Sequence, residues 1–202
     1  MAIHVLGNGP SIDIFKRDIW PDSDVYIGCN FSDEKLRPDY TVMIDVKATK
    51  KFSEGLKLSI PVVFSKRNKG FMDTQLMKPP EDAYIIKDVM ENIHWKEIHK
   101  SWGLNSAQHA VMYALSHESD TNMLHLWGID SFWSDNLKSN TDAIMRPNVG
   151  DRIREDIADP WRIFWQHIFI KNPNTQFRIH APAGVTLFKT YTDNNVEFIY
   201  HS

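Results

Sequence analysis

The stretch IHVLGNGPS, residues 3–11, breaks from an apolar run into a glycine-rich turn and then into a predicted helix. Gly7 and Gly9 allow the backbone to approach a ligand or to adopt a positive φ, and Pro10 suits the first position of a helix. Backbone N–H groups and the positive end of the helix dipole would then face an anion. The stretch therefore predicts a strand, a phosphate-binding turn and a helix.

Two common phosphate motifs fit this turn poorly. A dinucleotide fingerprint needs a third glycine where Ile12 stands, and an acidic residue about twenty residues further on. The next strand ends instead in Cys29 and Asn30. A P-loop needs Gly-Lys-Ser/Thr after the turn, and the sequence lacks it. The remaining alternative is a tight strand-to-helix turn that binds no ligand.

Length and composition predict one domain over residues 1–202, because a chain of this size buries one core well. A net charge of −3 gives no general attraction to nucleic acid or to anionic lipid. The single cysteine, Cys29, fits a reducing compartment. The sequence shows no export signal and no apolar run of membrane-spanning length. We expect a cytoplasmic protein without a membrane span or a nucleic-acid partner, and leave a homo-oligomer open.

Short strand patterns alternate with helical patterns along the chain. The strand candidates cover residues 2–7, 25–29, 40–44, 60–64, 83–86, 123–127 and 177–180. Their nearly continuous apolar character is typical of strands with helices on both faces. Helical spacing covers residues 104–115, and Asp159 followed by Pro160 predicts the start of a later helix. We predict an α/β fold: a single Rossmann-like domain with a largely parallel sheet.

Two stretches do not fit this alternation. Residues 65–80 and 131–156 are predicted as loops over the active face, since long unstructured segments in compact domains are often lids or binding loops. Near the end of the chain, residues 185–201 hold two apolar runs around Asp193-Asn194-Asn195. This arrangement favours a C-terminal hairpin.

Polar residues follow the predicted strands at their carboxyl ends, where open α/β folds bind ligands. Asparagine is prominent among them, and its side chain can donate and accept at once. Each residue alone is as readily a turn or helix-capping residue, but their joint placement favours a site. The predicted binding set is Gly7, Asn8, Gly9, Pro10, Ser11, Asn30, Asp45, Ser65, Asn105, Ser106, Gly128 and Asp130.

Several catalytic signatures are missing from the sequence. It has neither HExxH nor a Cys-His zinc spacing, so we expect no metal site. It also lacks the GxSxG motif of serine hydrolases. His109 and His167 fall on predicted helices, where a histidine is more often a packed or surface residue than a base.

Six features spread over most of the chain carry a family resemblance. They are GNGPS at 7–11, IGCN ending at Asn30, the strand ending at Asp45, GLNSAQHA at 103–110, LHLWGID at 124–130 and NPNTQFRIHAP at 172–182. With these features, the chain resembles the bacterial CMP-sialic-acid-dependent sialyltransferases of glycosyltransferase family 42. More distantly, it resembles motility accessory factor and archaeal 6-hydroxymethylpterin pyrophosphokinase-type proteins.

The resemblance implies that Asn8, Asn30, Asn105 and Ser106 contact a nucleotide-linked donor. Asp45 stands where the sialyltransferases have an asparagine. The family also carries a histidine between the GID strand and the late helix, whereas residues 131–159 contain none. The alternative base candidates are Asp151, Glu155, Asp156 and His167.

Three functions follow as expectations. The first is metal-independent and cofactor-independent glycosyl transfer from a nucleotide-linked sugar, most of all of the CMP-sialic acid type, to a hydroxyl acceptor. The second is a Mg²⁺-dependent pyrophosphokinase of the 6-hydroxymethylpterin type, in which Asp45 and Asp130 would help to neutralise charge. The third is a catalytically silent nucleotide-binding protein.

Overall fold

The computed structural model describes residues 1–31, 36–53, 58–75, 83–85, 104–117, 122–141 and 155–202. Within these residues, eight strands form one sheet. The strands are β1 (Ile3–Leu6), β2 (Val25–Cys29), β3 (Tyr40–Met43), β4 (Val62–Phe64), β5 (Ala83–Ile85), β6 (Met123–Trp127), β7 (Gln176–Pro182) and β8 (Val196–His201).

Every pairing between neighbouring strands is parallel, and the order across the sheet is β5-β4-β3-β2-β1-β6-β7-β8. The α/β prediction and the parallel sheet are therefore confirmed. From β1 the chain builds outward to β5, then returns to place β6 on the other side of β1. This reversal puts a crevice at the carboxyl ends of β1 and β6, where ligands bind in open α/β sheets.

In the described part of the chain, four helices cover the two faces of the sheet. They are α1 (Val46–Ser53), α2 (Lys66–Thr74), α3 (Ser106–His117) and α4 (Glu155–Lys171). Helices α3 and α4 pack on one face, where the main core lies, and α1 and α2 pack on the other. The main core includes Ile3, Val5, Leu124, Leu126, Phe177 and Ile179 of the strands, with Val111 of α3 and Trp165 and Phe169 of α4.

The first predicted loop is wrong over α2. The side chain of Ser65 caps this helix by accepting a hydrogen bond from the N–H of Asn68, at 3.2 Å. Asn68 and Met72, one turn apart, bury the inner face of the helix, and Lys69 lies 2.6 Å from Asp73 on its outer face. These local contacts favour a helix that the basic composition concealed. Residues 76–80 of the predicted loop lie outside the described residues.

The second predicted loop is confirmed only in part. It begins with a single 3₁₀ turn, Asp130–Phe132, and continues without regular structure to residue 141. Residues 142–154 lie outside the described part of the chain, and residues 155–156 already belong to α4.

Helix α4 starts earlier than predicted. Asp159, the predicted N-cap, lies inside the helix. The helix begins at Glu155 and contains Pro160. Pro160 is the sixth residue of the helix, beyond the first four N–H groups that lack intrahelical acceptors, so it removes one helical hydrogen bond. The carboxylate of Asp159 accepts a hydrogen bond from Arg162, at 2.7 Å, instead of capping.

The predicted C-terminal hairpin is wrong. Strand β8 pairs with β7 in parallel, with Phe177 opposite Val196 and Pro182 opposite His201. The first apolar run of the expected hairpin is instead the connection between these strands. Its residues Leu187 and Tyr191 pack against the main core, which explains their apolar character. No helix in the described part of the chain is long and apolar enough to cross a membrane.

A buried histidine, His4, lies on the face of the sheet opposite α3 and α4. The indole Nε1 of Trp127 donates to His4 Nδ1 at 3.2 Å, and His4 Nε2 lies 3.3 Å from a carboxylate oxygen of Asp24. Because an indole N–H can only donate, neutral His4 carries its proton on Nε2 and donates it to Asp24. The contacts thus fix one tautomer of His4.

Histidines of β6, β7 and β8 continue the contacts of His4 across the same face of the sheet. The ring of His125 stacks on that of His4, and its Nδ1 is 2.8 Å from His180 Nε2. His180 Nδ1 is in turn 2.8 Å from His201 Nε2. Burial lowers the pKa of His4 to about 4 and that of His125 to about 3, and it lowers the pKa of His180 as well. The rings of His4, His125 and His180 are therefore neutral near pH 7.

Candidate functional site

A cavity of about 590 Å³ opens at the carboxyl ends of β1, β2, β3 and β6. Its walls come from the turns after these strands, from the first turn of α3, from the loop after β6 and from α4. The lining residues are Gly7–Gly9, Cys29, Asn30, Ile44–Lys47, Leu104–Ala107, Gly128–Ser131, Leu137–Ser139, Thr141, Ile157 and Trp161. The cavity coincides with the crevice that the strand order creates.

Most of the predicted binding residues line this cavity. They are Gly7, Asn8, Gly9, Asn30, Asp45, Asn105, Ser106, Gly128 and Asp130. Pro10, Ser11 and Ser65 are not among its lining residues. Pro10 starts a short 3₁₀ helix, Pro10–Ile14, as its position in the motif predicted. Ser65 caps α2 instead.

The glycine-rich turn does not offer the N–H groups that the sequence predicted for an anion. Gly7 donates to the carbonyl of Trp127 at 2.8 Å, and Gly9 donates to that of Gly128 at 2.9 Å. The N–H of Ser11 donates to the Asp130 carboxylate at 3.3 Å, and its hydroxyl binds the same carboxylate. These interactions within the protein contradict a phosphate site built from the main chain of Gly7, Gly9 and Ser11.

The two glycines allow the turns after β1 and β6 to pack backbone against backbone. A Cβ atom on Gly7 would lie 2.5 Å from the carbonyl oxygen of Gly128, and one on Gly9 would lie 2.6 Å from the Asp130 carboxylate. Gly9 has an extended backbone with φ −66°, whereas Gly128 has φ +64°. Close contact between the turns therefore explains the glycines of the motif without a ligand.

This explanation predicts that Gly9→Ala destabilises the protein by about 1–3 kcal/mol, the usual effect of forcing extra atoms into a packed site. Gly70, inside α2, is the matched control, because nothing lies within 4 Å of a Cβ placed there. Gly70→Ala should stabilise by about 0.5–1 kcal/mol through helix propensity. Urea unfolding of both variants measures the difference, and equal stabilities would contradict the packing explanation.

Asn30 is held in a left-handed conformation, with φ 52°, at the end of β2. Its N–H donates to the carbonyl of Val42 at 2.9 Å, and its carbonyl accepts from the Thr41 hydroxyl at 2.8 Å. Its side-chain Oδ1 is buried and has no hydrogen-bond partner among the described residues. Leaving a buried acceptor unpaired costs about 1–3 kcal/mol, so this amide is suited to a ligand donor. The Asn8 side chain, by contrast, has a partner within the protein, since its Nδ2 donates to the carbonyl of Cys29 at 2.6 Å.

The first turn of α3 supplies hydrogen-bond donors at the cavity. Asn105 Oδ1 accepts from the N–H of Gln108 at 2.8 Å, and Gln108 Oε1 accepts from the N–H of Asn105 at 3.0 Å. This reciprocal capping pairs the N–H groups of Asn105 and Gln108. The N–H groups of Ser106 and Ala107, between them, have no intrahelical acceptor. Both residues line the cavity. Together with the helix dipole they favour an anion at this end of α3.

Charged side chains of both signs border the cavity. Asp45 accepts a hydrogen bond from the N–H of Lys47 at 2.9 Å at the start of α1. Burial raises the pKa of the Asp130 carboxyl, although the hydrogen bonds from Ser11 oppose the rise. Lys47 and Lys138 also line the cavity, so cations are available near the carboxylates.

The proposed base residues are not brought together by the described structure. Asp151 lies outside the described residues, and the backbone alone is described for Glu155 and Asp156, in the first turn of α4. His167 is exposed on α4 and is not among the lining residues. Ile157 and Trp161 show that only the amino-terminal part of α4 borders the cavity. His167 therefore lies away from the described walls of the cavity, and its role as a base stays a prediction.

Arg162 is a structural residue of the site that the sequence did not reveal. Its guanidinium is buried and donates to the carbonyl of Ser131 at 2.6 Å and to that of Ser134 at 3.1 Å. It also pairs with Asp135 and with Asp159. These contacts fasten the loop after β6, which lines the cavity, to α4. An arginine within the apolar pattern of a helix gives no sign of such a role.

The described part of the chain contains no group of three or more His, Cys, Asp or Glu side chains that could hold a metal ion. The metal-independent reaction stays a prediction, since a substrate can complete a metal site.

Several solved sialyltransferases have a similar fold. The sialyltransferase CST-II, in complex with a trisaccharide acceptor and CMP, gives a TM-score of 0.53 at 13% identity over 89% of this chain and 80% of that chain. CstII from Campylobacter jejuni, in complex with the substrate analogue CMP-3FNeuAc, gives 0.52 at 15% identity over 88% and 79%. A structure of monomeric CstII gives 0.50 at 16% identity over 89% and 80%.

At this level of identity the likeness establishes a shared α/β fold. Neither a protein-family model nor a curated protein matches the sequence. The chain and the sialyltransferases thus have a common architecture over most of their lengths, and the chemistry of the cavity must be argued from its own residues.

Proposed function

We propose that the protein transfers a glycosyl group from a nucleotide-linked sugar, of the CMP-sialic acid type, to a hydroxyl acceptor. The observation that carries this proposal is the unpaired Asn30 amide oxygen in the same cavity as the first turn of α3. The Asn30 amide oxygen suits a nucleoside, and the N–H groups of the first turn of α3 suit a phosphate. The common fold with sialyltransferases that bind CMP supports the same choice.

The donor would lie across the carboxyl ends of β2 and β3. Asn30 would accept a hydrogen bond from a base amino group or a ribose hydroxyl, and Asp45 would accept another. The phosphate would bind the N–H groups of Ser106 and Ala107 and the Ser106 hydroxyl, at the positive end of the α3 dipole. Lys47 and Lys138 would reduce the negative charge of the donor.

In the reaction, the acceptor oxygen attacks the anomeric carbon of the sugar. A new carbon–oxygen bond forms, and the bond between that carbon and the phosphate oxygen breaks, so the nucleotide leaves with the electron pair. Donors placed at the leaving phosphate stabilise the charge that develops there, and each such donor commonly contributes about 10²–10³ in rate. The cavity walls from α3 and α4 would limit the access of water.

The acceptor proton needs a base near the anomeric carbon. Asp151, Glu155 and Asp156 stay candidates, and Asp130 joins them because it lines the cavity. Burial raises the pKa of the Asp130 carboxyl, and a carboxylate with a raised pKa is a stronger base. Ser11 holds the Asp130 carboxylate in place.

A thermal-shift series tests the proposed function. The ligands are CMP, UDP, GDP, ADP and their sugar conjugates, each with and without Mg²⁺. We expect CMP and CMP-sialic acid to raise the unfolding midpoint without Mg²⁺, because a ligand of the native state stabilises it by mass action. A turnover assay with the same donors and with ATP accompanies the series. Magnesium-dependent ATP consumption in it would favour the pyrophosphokinase. Stabilisation without turnover of any donor would favour a silent binding protein, and either outcome would contradict the proposal.

A further inference from the structure

Strand β8 forms one outer edge of the sheet, and its outward backbone groups face no described strand. Phe177 donates to the carbonyl of Asn195 at 2.8 Å, and Ala183 donates to that of His201 at 2.7 Å. Backbone groups of odd-numbered residues in this segment therefore point towards β7. Since direction alternates along a strand, the N–H and C=O groups of Phe198 and Tyr200 point outward.

This edge lacks the usual protection against pairing with another strand. Natural edge strands often carry lysine or proline, which disfavour contact between edges. The β8 sequence, VEFIYH, contains neither. Tyr200 is 51% exposed, and Phe198 and Ile199 are only partly buried. Among the described residues, this edge is therefore unpaired, and most of its side chains are apolar.

The strand is also complementary to itself in one antiparallel register. A two-fold axis at Ile199 places Phe198 opposite Tyr200 of a second copy, and Tyr200 opposite Phe198 of that copy. Aromatic pairs of this kind stabilise neighbouring strands. Phe198 and Tyr200 would exchange both backbone hydrogen bonds, as their outward groups require.

Neighbouring registers lose this complementarity. An axis at Phe198 would place Val196 opposite Tyr200, and an axis at Tyr200 would place Phe198 opposite Ser202. Axes between residues would bring inward-pointing backbone groups against outward-pointing ones. The two Phe198–Tyr200 pairs and the full set of hydrogen bonds therefore occur together only with the axis at Ile199.

We propose that β8 pairs in antiparallel orientation with β8 of a second copy of this chain, about a two-fold axis at Ile199. The two sheets then form one continuous sheet. This is an isologous contact, which closes as a dimer.

Sedimentation velocity of the wild-type chain and of Tyr200→Pro tests the dimer. Proline at this position removes an outward N–H and leaves the hydrogen bonds to β7 intact, which edge strands tolerate. Tyr200→Phe is the matched control, because it keeps both the N–H and the aromatic ring. We expect the wild type and Tyr200→Phe to form a dimer as concentration rises and Tyr200→Pro to stay a monomer. A wild type that stays monomeric, or a Tyr200→Pro variant that still dimerises, would overturn the proposal.

Amide hydrogen exchange of the wild-type chain provides a test that needs no variant. We expect the Phe198 and Tyr200 amides to become protected as protein concentration rises, while the Ile199 amide is protected at every concentration. Fast exchange of Phe198 and Tyr200 in the concentrated protein would overturn the proposal.

Discussion

Replacing Arg162 with methionine is expected to lower the free energy of unfolding by about 1–3 kcal/mol, the usual cost of leaving buried hydrogen-bond acceptors without their donor. The guanidinium binds the carbonyls of Ser131 and Ser134 and the carboxylates of Asp135 and Asp159. Methionine keeps most of the side-chain volume but leaves these acceptors without their donor. Urea unfolding near neutral pH measures the change.

Arg178→Met is the matched control for this prediction. Arg178 pairs with Glu197 at 3.0 Å, but its side chain is 40% exposed. An exposed ion pair contributes about 0–1 kcal/mol, so this variant should remain close to the wild type. Equal losses in the two variants would show that Arg162 does not hold the loop after β6 in the way described.

The buried histidines are expected to make the protein sensitive to acid. The folded-state pKa values of His4 and His125 are lowered to about 4 and about 3, and that of His180 is also lowered, whereas the unfolded chain has ordinary histidines near 6.5. Below pH 6.5 the unfolded state thus binds more protons, and stability falls as pH falls. Each proton contributes about 1.4 kcal/mol per pH unit, so three give about 4 kcal/mol per unit near pH 5.

The histidine contribution can be separated from that of other groups by comparing two variants. His180→Phe removes one proton-binding group and preserves an aromatic ring against Trp127, whose centroid lies 3.5 Å from that of His180. Its stability should decrease less steeply between pH 6 and pH 4.5 than that of the wild type. His167→Gln, at an exposed position, should keep the wild-type slope. Parallel pH profiles for the two variants would contradict the prediction.

Much of the fold could be predicted from the sequence because buried parallel strands leave a plain pattern. The apolar runs predicted the seven strands β1 to β7, and the spacing of Ala107, Val111 and Ala114 predicted α3. Strand β8 was misassigned for a physical reason. The run at 185–191 is apolar because Leu187 and Tyr191 pack on the core, which a strand pattern cannot distinguish from pairing.

The sequence predicted where the cavity-lining residues lie, but not the chemical role of each. Strand ends in a parallel sheet converge, so the places of Asn30, Asp45 and Asn105 could be inferred. The role of the glycine-rich turn could not, because it depends on Gly7 and Gly9 packing against a turn more than a hundred residues away. Arg162 was missed for the same reason, since its partners lie in a distant loop.

A CMP-release assay with CMP-sialic acid and a hydroxyl acceptor would show whether the cavity binds a sugar nucleotide through Asn30. The variants are Asn30→Ala and, as a matched control, Asn174→Ala in an exposed turn. We predict magnesium-independent release of CMP by the wild type and by Asn174→Ala. We also predict that Asn30→Ala binds CMP about tenfold more weakly, the equivalent of about 1.4 kcal/mol. No CMP release by the wild type, or equal activity and affinity in Asn30→Ala, would contradict the claim.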